Sequence, residues 1–407
     1  MRHRDSRPRL VAGLSLATAL TVVAPTIPAA ADVAPTPASL LTSLARQEIE
    51  AGAPGVIVRV DPGRGKPLRI AEQASWTRND HHLTADSQFR MGSNVKTMVA
   101  TLILQLVAER RLKLDDPVAT WLPAIENGRA ITVRMLLDHT SGLADYLLTP
   151  DALKTLTGQD ERTWTPSQLL TLGLQQPALF APGKEHAYSN TNYIALGMIL
   201  EKVTKRSVAD LIQQRIARPL GLRHTYLSAD AGSRDGDRLA HGYEPDAARL
   251  AEMNLPEVAA GLSFTGPQRV GHVDVVGLDP AITWAAGAVV STPRDWGRFL
   301  SALMSGKLLP PAQLAQMRVT VKDPSDASAR YGLGLQRHTN SCGTVWGHTG
   351  GIPGYSSQNY TDSTGRRTVT VVTTTLFGLR DEKLAVADRK LIDAAICVML
   401  GKPVPAK

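Results

Sequence analysis

The chain has 407 residues, 43% of them hydrophobic and 20% charged, with a formal net charge of +8. That composition is ordinary for a globular protein and excludes collagen, coiled coil and bulk disorder, while the length calls for two domains or one with a large insertion. The Lys and Arg are scattered without an aromatic-interleaved basic stripe, so no nucleic-acid partner is indicated.

In chain order, the first element is a targeting segment. Arg2, Arg4, Arg7 and Arg9 make a basic start, residues 10–23 a short apolar run, and Pro28-Ala29-Ala30-Ala31 the small residues of a cleavage site. This is the pattern of a secretory signal peptide (1–31) cut after Ala31, and the run is too short for a transmembrane anchor. Cleavage removes four Arg and Asp5, lowering the formal net charge from +8 to +5. No later segment approaches 18 uncharged apolar residues, so the mature chain is expected to be secreted, extracellular and free of the membrane.

Residues 32–38 read as a short leader. Apolar spacing predicts a helix over 40–51, a buried strand over 56–60, and a second strand near 68–70 after Gly-Pro turn chemistry. A helix over 93–111 is apolar on several faces and is expected to be central. From there to about residue 280 the pattern is mostly helical, as at 133–137, 166–172, 193–203 and 208–216. Strand patterns return at 344–346, 354–360 and 368–375, and 384–400 is a last helix. Strands at both ends with helices between them predict an α+β fold. One antiparallel sheet is built from both chain ends (32–92 and 281–400) and flanked by the terminal helices, with an all-α lobe over 93–280 and a tail at 401–407. The junction of the two lobes is the natural cleft.

The two cysteines, Cys342 and Cys397, are expected to pair in an oxidising compartment. The loop of about 55 residues corresponds to roughly 4 kcal/mol in the chain-entropy model. No metal or cofactor is indicated. Two thiols fall short of a zinc site, there is no His-Glu-x-x-His, and His81-His82 has no partner at useful spacing.

Three short motifs carry chemistry. Ser93-Asn94-Val95-Lys96 opens the central helix, where positions i and i+3 share a face, so hydroxyl and ammonium can meet. A serine hydroxyl needs a neighbouring base to become a nucleophile, and free N–H groups at a helix start suit an oxyanion. Alone this match is weak, since about one is expected by chance in such a chain. Tyr188-Ser189-Asn190 sits in a loop entering a helix, and Trp346-Gly347-His348-Thr349-Gly350-Gly351 lies at a strand end where a substrate backbone can approach. An α/β-hydrolase is excluded by the lack of a Gly-x-Ser-x-Gly elbow.

The ordered set Ser-x-x-Lys, Tyr-Ser-Asn and His-Thr-Gly resembles the serine penicillin-recognising family with its β-lactamase/transpeptidase-like fold. Tyr and His in the second and third motifs are similar to the secreted D-alanyl-D-alanine carboxypeptidases, cousins of the class C β-lactamases. The likeness runs from about residue 40 to the C-terminus and includes Gly52-Ala53-Pro54-Gly55, Leu136-Leu137-Asp138-His139-Thr140-Ser141-Gly142-Leu143, Tyr331-Gly332-Leu333-Gly334-Leu335 and Ser341-Cys342-Gly343. It implies that Ser93 is the nucleophile, with Lys96 and Tyr188 as proton relay. The oxyanion falls to the amides of Ser93 and Gly351, and substrate contacts to Asn190, His348, Thr349, Gly351 and Trp284. Tyr188 is the base only if Lys96 and a protonated His348 favour its phenolate, and the motifs leave open whether Lys96 or Tyr188 takes the proton. His139 serves structure. The implied partners are a peptidoglycan stem peptide and, as covalent ligands, β-lactams, and the chain is read as a monomer.

Two positions depart from those carboxypeptidases. They grip the substrate carboxylate with an Arg six residues before the Cys and a Thr three after the motif His; here these are Gln336 and Gly351. Arg337 is adjacent, but strand alternation points it to the opposite face unless a bulge intervenes. An esterase, a D-amino-acid amidase or a weak β-lactamase fits the same gaps. A catalytically silent wall-binding or β-lactam-sensing protein is opposed by three intact motifs.

Overall fold

The computed structural model describes Met1 and residues 35–228, 238–253, 255, 261–324 and 326–405. Apart from Met1, the expected signal peptide and its cleavage site lie outside the described residues. Thr36–Lys407 forms one compact unit.

Its frame is an eight-stranded antiparallel sheet. The strand order is Leu68–Gln73, Gly55–Asp61, Thr368–Thr373, Tyr355–Thr361, Gly343–Ile352, Gln336–Asn340, Ala329–Tyr331 and Val321–Lys322. Alternation along Gly55–Asp61 sends its side chains to two cores. Val56, Val58 and Val60 pack with Leu41, Leu44, Leu391 and Ala395 of the terminal helices Pro37–Glu50 and Glu382–Leu400. Ile57, together with Val372 and Tyr355, faces a larger core that includes Met98, Leu136 and Leu196. The sheet and the helical segment therefore share one core.

The buried helix Val95–Ala108 runs through that core, buried at every position from Val95 to Leu104. It is shorter than the expected 93–111. Ser93 belongs instead to a tight 3-10 turn, Gly92–Asn94, and the chain leaves the helix at Arg110 with φ 59. The segment 93–280 also holds short strands that the helical pattern did not foretell: Tyr226–Leu227, Tyr243–Pro245, Gln268–Arg269 and His272–Asp274. Two or three residues are too few to display an alternation.

Cys342 and Cys397 form the disulfide, with Cα atoms 5.2 Å apart, and tie the turn before the strand Gly343–Ile352 to the last helix. Among the described residues no helix is long and apolar enough to cross a membrane.

Candidate active site

Ser93 is held where three segments meet. Gly92 has φ 51, and a Cβ there would lie 2.7 Å from the Gly351 carbonyl oxygen. A Cβ on Gly350 would sit 2.0 Å from the Met91 carbonyl oxygen. Glycine at both places lets the Ser93 turn press against the strand Gly343–Ile352. Asn94 pins the turn: its Nδ2 donates to Met91 O at 2.8 Å and to Ser357 Oγ at 2.9 Å, and its Oδ1 accepts from Asn359 Nδ2 at 3.1 Å.

Lys96 is wholly buried one helical turn on. Its Nζ donates to Ser93 Oγ at 3.0 Å, to Asn190 Oδ1 at 2.8 Å and to the Ala286 carbonyl at 2.7 Å. Burial pushes the ammonium down to about 7, with Asp145 partly opposing. Asn190 Oδ1 and Ala286 O are acceptors only, so a neutral Lys96 spends both its protons on them. Its lone pair is then directed at the one partner with a proton to give, the Ser93 hydroxyl. Asn190 Nδ2 in turn donates to Asp145 Oδ2 at 2.8 Å. Both polar ends of the Asn190 side chain are therefore engaged inside the protein.

The Tyr188 hydroxyl is buried without a hydrogen bond of normal geometry. Burial raises its pKa far above the usual 10, even though nearby Ser93 favours ionisation. His348 is buried too, and both its ring nitrogens are occupied: Nε2 lies 2.8 Å from Tyr331 OH and Nδ1 2.6 Å from the Thr349 carbonyl. Desolvation lowers its pKa to about 3. Two expectations are corrected by this. His348 is not protonated at neutral pH, so the condition for a Tyr188 phenolate fails. Nor has His348 a free nitrogen for a substrate; it braces the strand from beneath. His139 holds the second motif from below, its Nδ1 accepting from Ser189 N at 3.2 Å while its ring lies 4.3 Å from that of Tyr188.

At the other end of the site, Gln336 pairs with Gly347 and Arg337 with Trp346, so no bulge brings Arg337 round. Gln336 Oε1 accepts from Thr349 N at 3.0 Å, which fixes the half-buried Thr349. Gly351 is exposed, and a Cβ on it would meet Leu376 Cδ1 at 2.8 Å. The place of a gripping Thr side chain is thus filled by leucine. Leu376 is anchored by buried Glu244, which accepts from the backbone N–H groups of Gly354 at 2.6 Å, Leu376 at 3.0 Å and Phe377 at 2.8 Å. Trp284 makes no hydrogen bond to these groups. Its ring packs against Gly197, and its backbone, at φ 32, leads into the turn that presents the Ala286 carbonyl to Lys96. That strain sits beside the reactive cluster, where strained residues concentrate.

Asp145, the Ala286 carbonyl, Glu244 and Leu376 carry no motif, and sequence reasoning missed all four. Among the described residues one group has metal-ligand types close together, Asp80, His241 and Asp274. Its carboxylates are already taken: Asp80 by Arg269 and Tyr243, Asp274 by His241.

The family model described as Beta-lactamase matches residues 42–393. The chain belongs to the beta-lactamase family. It is 28% identical over 327 residues to penicillin-binding protein 4* of Bacillus subtilis, covering 79% of this chain and 67% of that one. It is 29% identical to esterase EstB of Burkholderia gladioli, covering 66% of this chain and 67% of the esterase. Against a D-aminopeptidase of Brucella anthropi the identity is 28% and the match spans 54% of that protein. The chain thus spans about two thirds or less of these relatives' lengths. Among solved structures, a D-stereospecific amidohydrolase from Streptomyces sp. superposes with a TM-score of 0.71 at 33% identity, over 86% of this chain and 97% of that one. The chain is accordingly a serine hydrolase of this family, with the α+β fold expected.

Proposed function

We propose that this chain is an exported hydrolase that cleaves amides or esters of D-amino acids through an acyl-enzyme on Ser93. The observation that carries the reading is the contact of Lys96 Nζ with Ser93 Oγ at 3.0 Å, made by an amine that burial brings close to neutrality.

Neutral Lys96 takes the Ser93 proton as Oγ bonds to the substrate carbonyl carbon. The negative charge passes to the carbonyl oxygen, between the N–H groups of Ser93 and Gly351. Tyr188, held as the neutral phenol, gives its proton to the leaving nitrogen or oxygen and regains one from Lys96. The bond to the leaving group breaks, and water, deprotonated by the same relay, attacks the ester and frees Ser93.

Support for D-amino-acid substrates comes from the relatives, which include a D-aminopeptidase and a D-stereospecific amidohydrolase. Support for a neutral leaving group comes from Gln336 and from Leu376 at the position where the carboxypeptidases place a carboxylate grip. The second reading is a D-alanyl-D-alanine carboxypeptidase acting on peptidoglycan stem peptides, which the three motifs favour.

One comparison separates them: turnover of a D-amino-acid amide, an aryl ester, a β-lactam and an acyl-D-Ala-D-Ala peptide by the same preparation. The expected result is amide and ester hydrolysis exceeding D-Ala release. Dominant D-Ala release overturns the substrate assignment, and a penicillin adduct that persists in Ser93→Ala overturns the nucleophile.

A further inference from the structure

A cationic cavity of about 240 Å³ lies between the helix Pro293–Met304 and the strands Gly55–Asp61 and Thr368–Thr373, none of which supplies a residue to the Ser93 cluster. Its lining brings together Arg59, Arg294, Arg298, Lys307 and Arg366 against a single acid, Asp61. Arg294 is paired with Asp86 at 3.3 Å, and Asp61 accepts from the Gly63 N–H at 3.0 Å. The side chains of Arg59, Arg298, Lys307 and Arg366 have neither a hydrogen bond nor an ion pair among the described residues.

Arg59 makes the arrangement unusual. It is half-buried on an inner strand, and it faces Arg69 across the strand pair. Burial, and the guanidinium groups of Arg294 and Arg69, act against its charge, which Asp61 and Asp86 only partly offset. Surface arginines normally point into water or pair with carboxylates; here they converge on a recess that also exposes the lining of Ser301 and Thr368. Like charges that outnumber their counter-charges are relieved by an anion of several charges. The planar forks of arginine match phosphate oxygens two at a time.

We infer that this cavity is a second binding site, for clustered phosphate groups, as in pyrophosphate or in neighbouring units of a phosphodiester polymer. The recess has room for one or two such groups and not for a folded partner. The inference is independent of the substrate of Ser93.

The test is titration calorimetry of the full protein with pyrophosphate and, separately, with soluble poly(glycerol phosphate), at low and at physiological salt. Binding that weakens with salt is expected for at least one probe. Tighter binding of the polymer, by about tenfold or more, marks the polymer as the source; equal or stronger binding of pyrophosphate marks a small free anion. The exposed pair Arg298→Gln/Arg366→Gln, which leaves the sheet and Ser93 untouched, is expected to weaken binding about tenfold or more while aryl-ester turnover stays unchanged. Arg59→Gln, checked for folding by circular dichroism, is expected to do the same. The control Arg129→Gln/Lys154→Gln removes equal charge from the helical segment and is expected to have no effect. Absence of binding of both probes at low salt, or equal loss in the control pair, overturns the site.

Discussion

The two ends of the Ser93 site are built on opposite principles. At the nucleophile end, ionisable groups are stripped of water: Lys96, His348 and the Tyr188 hydroxyl are buried and Asp145 is half-buried, and each group is moved from its ordinary pKa by desolvation first. At the leaving-group end the lining is neutral, made of Gln336, Thr349, exposed Gly351 and Leu376. Reactivity is set by charges whose energy burial has shifted, and selection among substrates by the shape and polarity of groups that never ionise.

The largest effect is expected at Ser93. Ser93→Ala is expected to lower kcat/KM by about 10⁴-fold or more and to abolish the penicillin adduct seen by mass spectrometry. Lys96→Arg keeps a cation but removes a titratable base, since guanidinium stays protonated. A fall of about 10² to 10⁴-fold in acylation rate is expected, measured in a pre-steady-state burst. A variant that retains full activity would relocate the base to Tyr188.

The pH profile reports the state of the same amine. Lys96 must lose its proton to act, and its pKa is pushed down to about 7. kcat/KM is therefore expected to fall about tenfold per pH unit below that value and to level off above it. His348, whose pKa is near 3, contributes no limb in the neutral range. A rising limb centred near pH 10 would contradict the assignment.

At the neutral end the expected effects are smaller. Gln336→Arg combined with Leu376→Ala restores a cation and opens space beside Gly351. The ratio of D-Ala-D-Ala peptide to amide turnover is expected to rise about tenfold, with ester turnover nearly unchanged. The smallest effect tests the anchor of Leu376. Glu244→Gln turns an amide NH₂ toward backbone N–H donors, and a loss of about 1–3 kcal/mol is expected, seen as a drop of a few degrees in Tm.

Much of the frame was legible in the residues. Val56 to Val60 alternate between two cores because a strand has period two, and the strands at 344–346, 354–360 and 368–375 announced themselves by β-branched patterns. The small strands at Tyr243–Pro245 and His272–Asp274 did not, because three residues show no period. The central helix was placed correctly, but its first turn was not. Gly92 bends there to meet Gly351, a contact between residues more than 250 positions apart.

The sequence by itself determined which functional groups are available: one Ser-x-x-Lys, one Tyr-Ser-Asn and one His-Thr-Gly, in that order, on a chain long enough to bury them. Only the tertiary structure decided their chemical state. Lys96 and Tyr188 are both bases in principle. Burial of the Lys96 side chain and of the Tyr188 hydroxyl brings the amine toward neutrality and holds the phenol protonated, because desolvation penalises whichever form is charged. The same holds at the other end, where Gly351 reads as an empty position until Leu376, brought in by Glu244, is seen to fill it. Residue type is local information, whereas burial and counter-charge are supplied by segments far away in the chain.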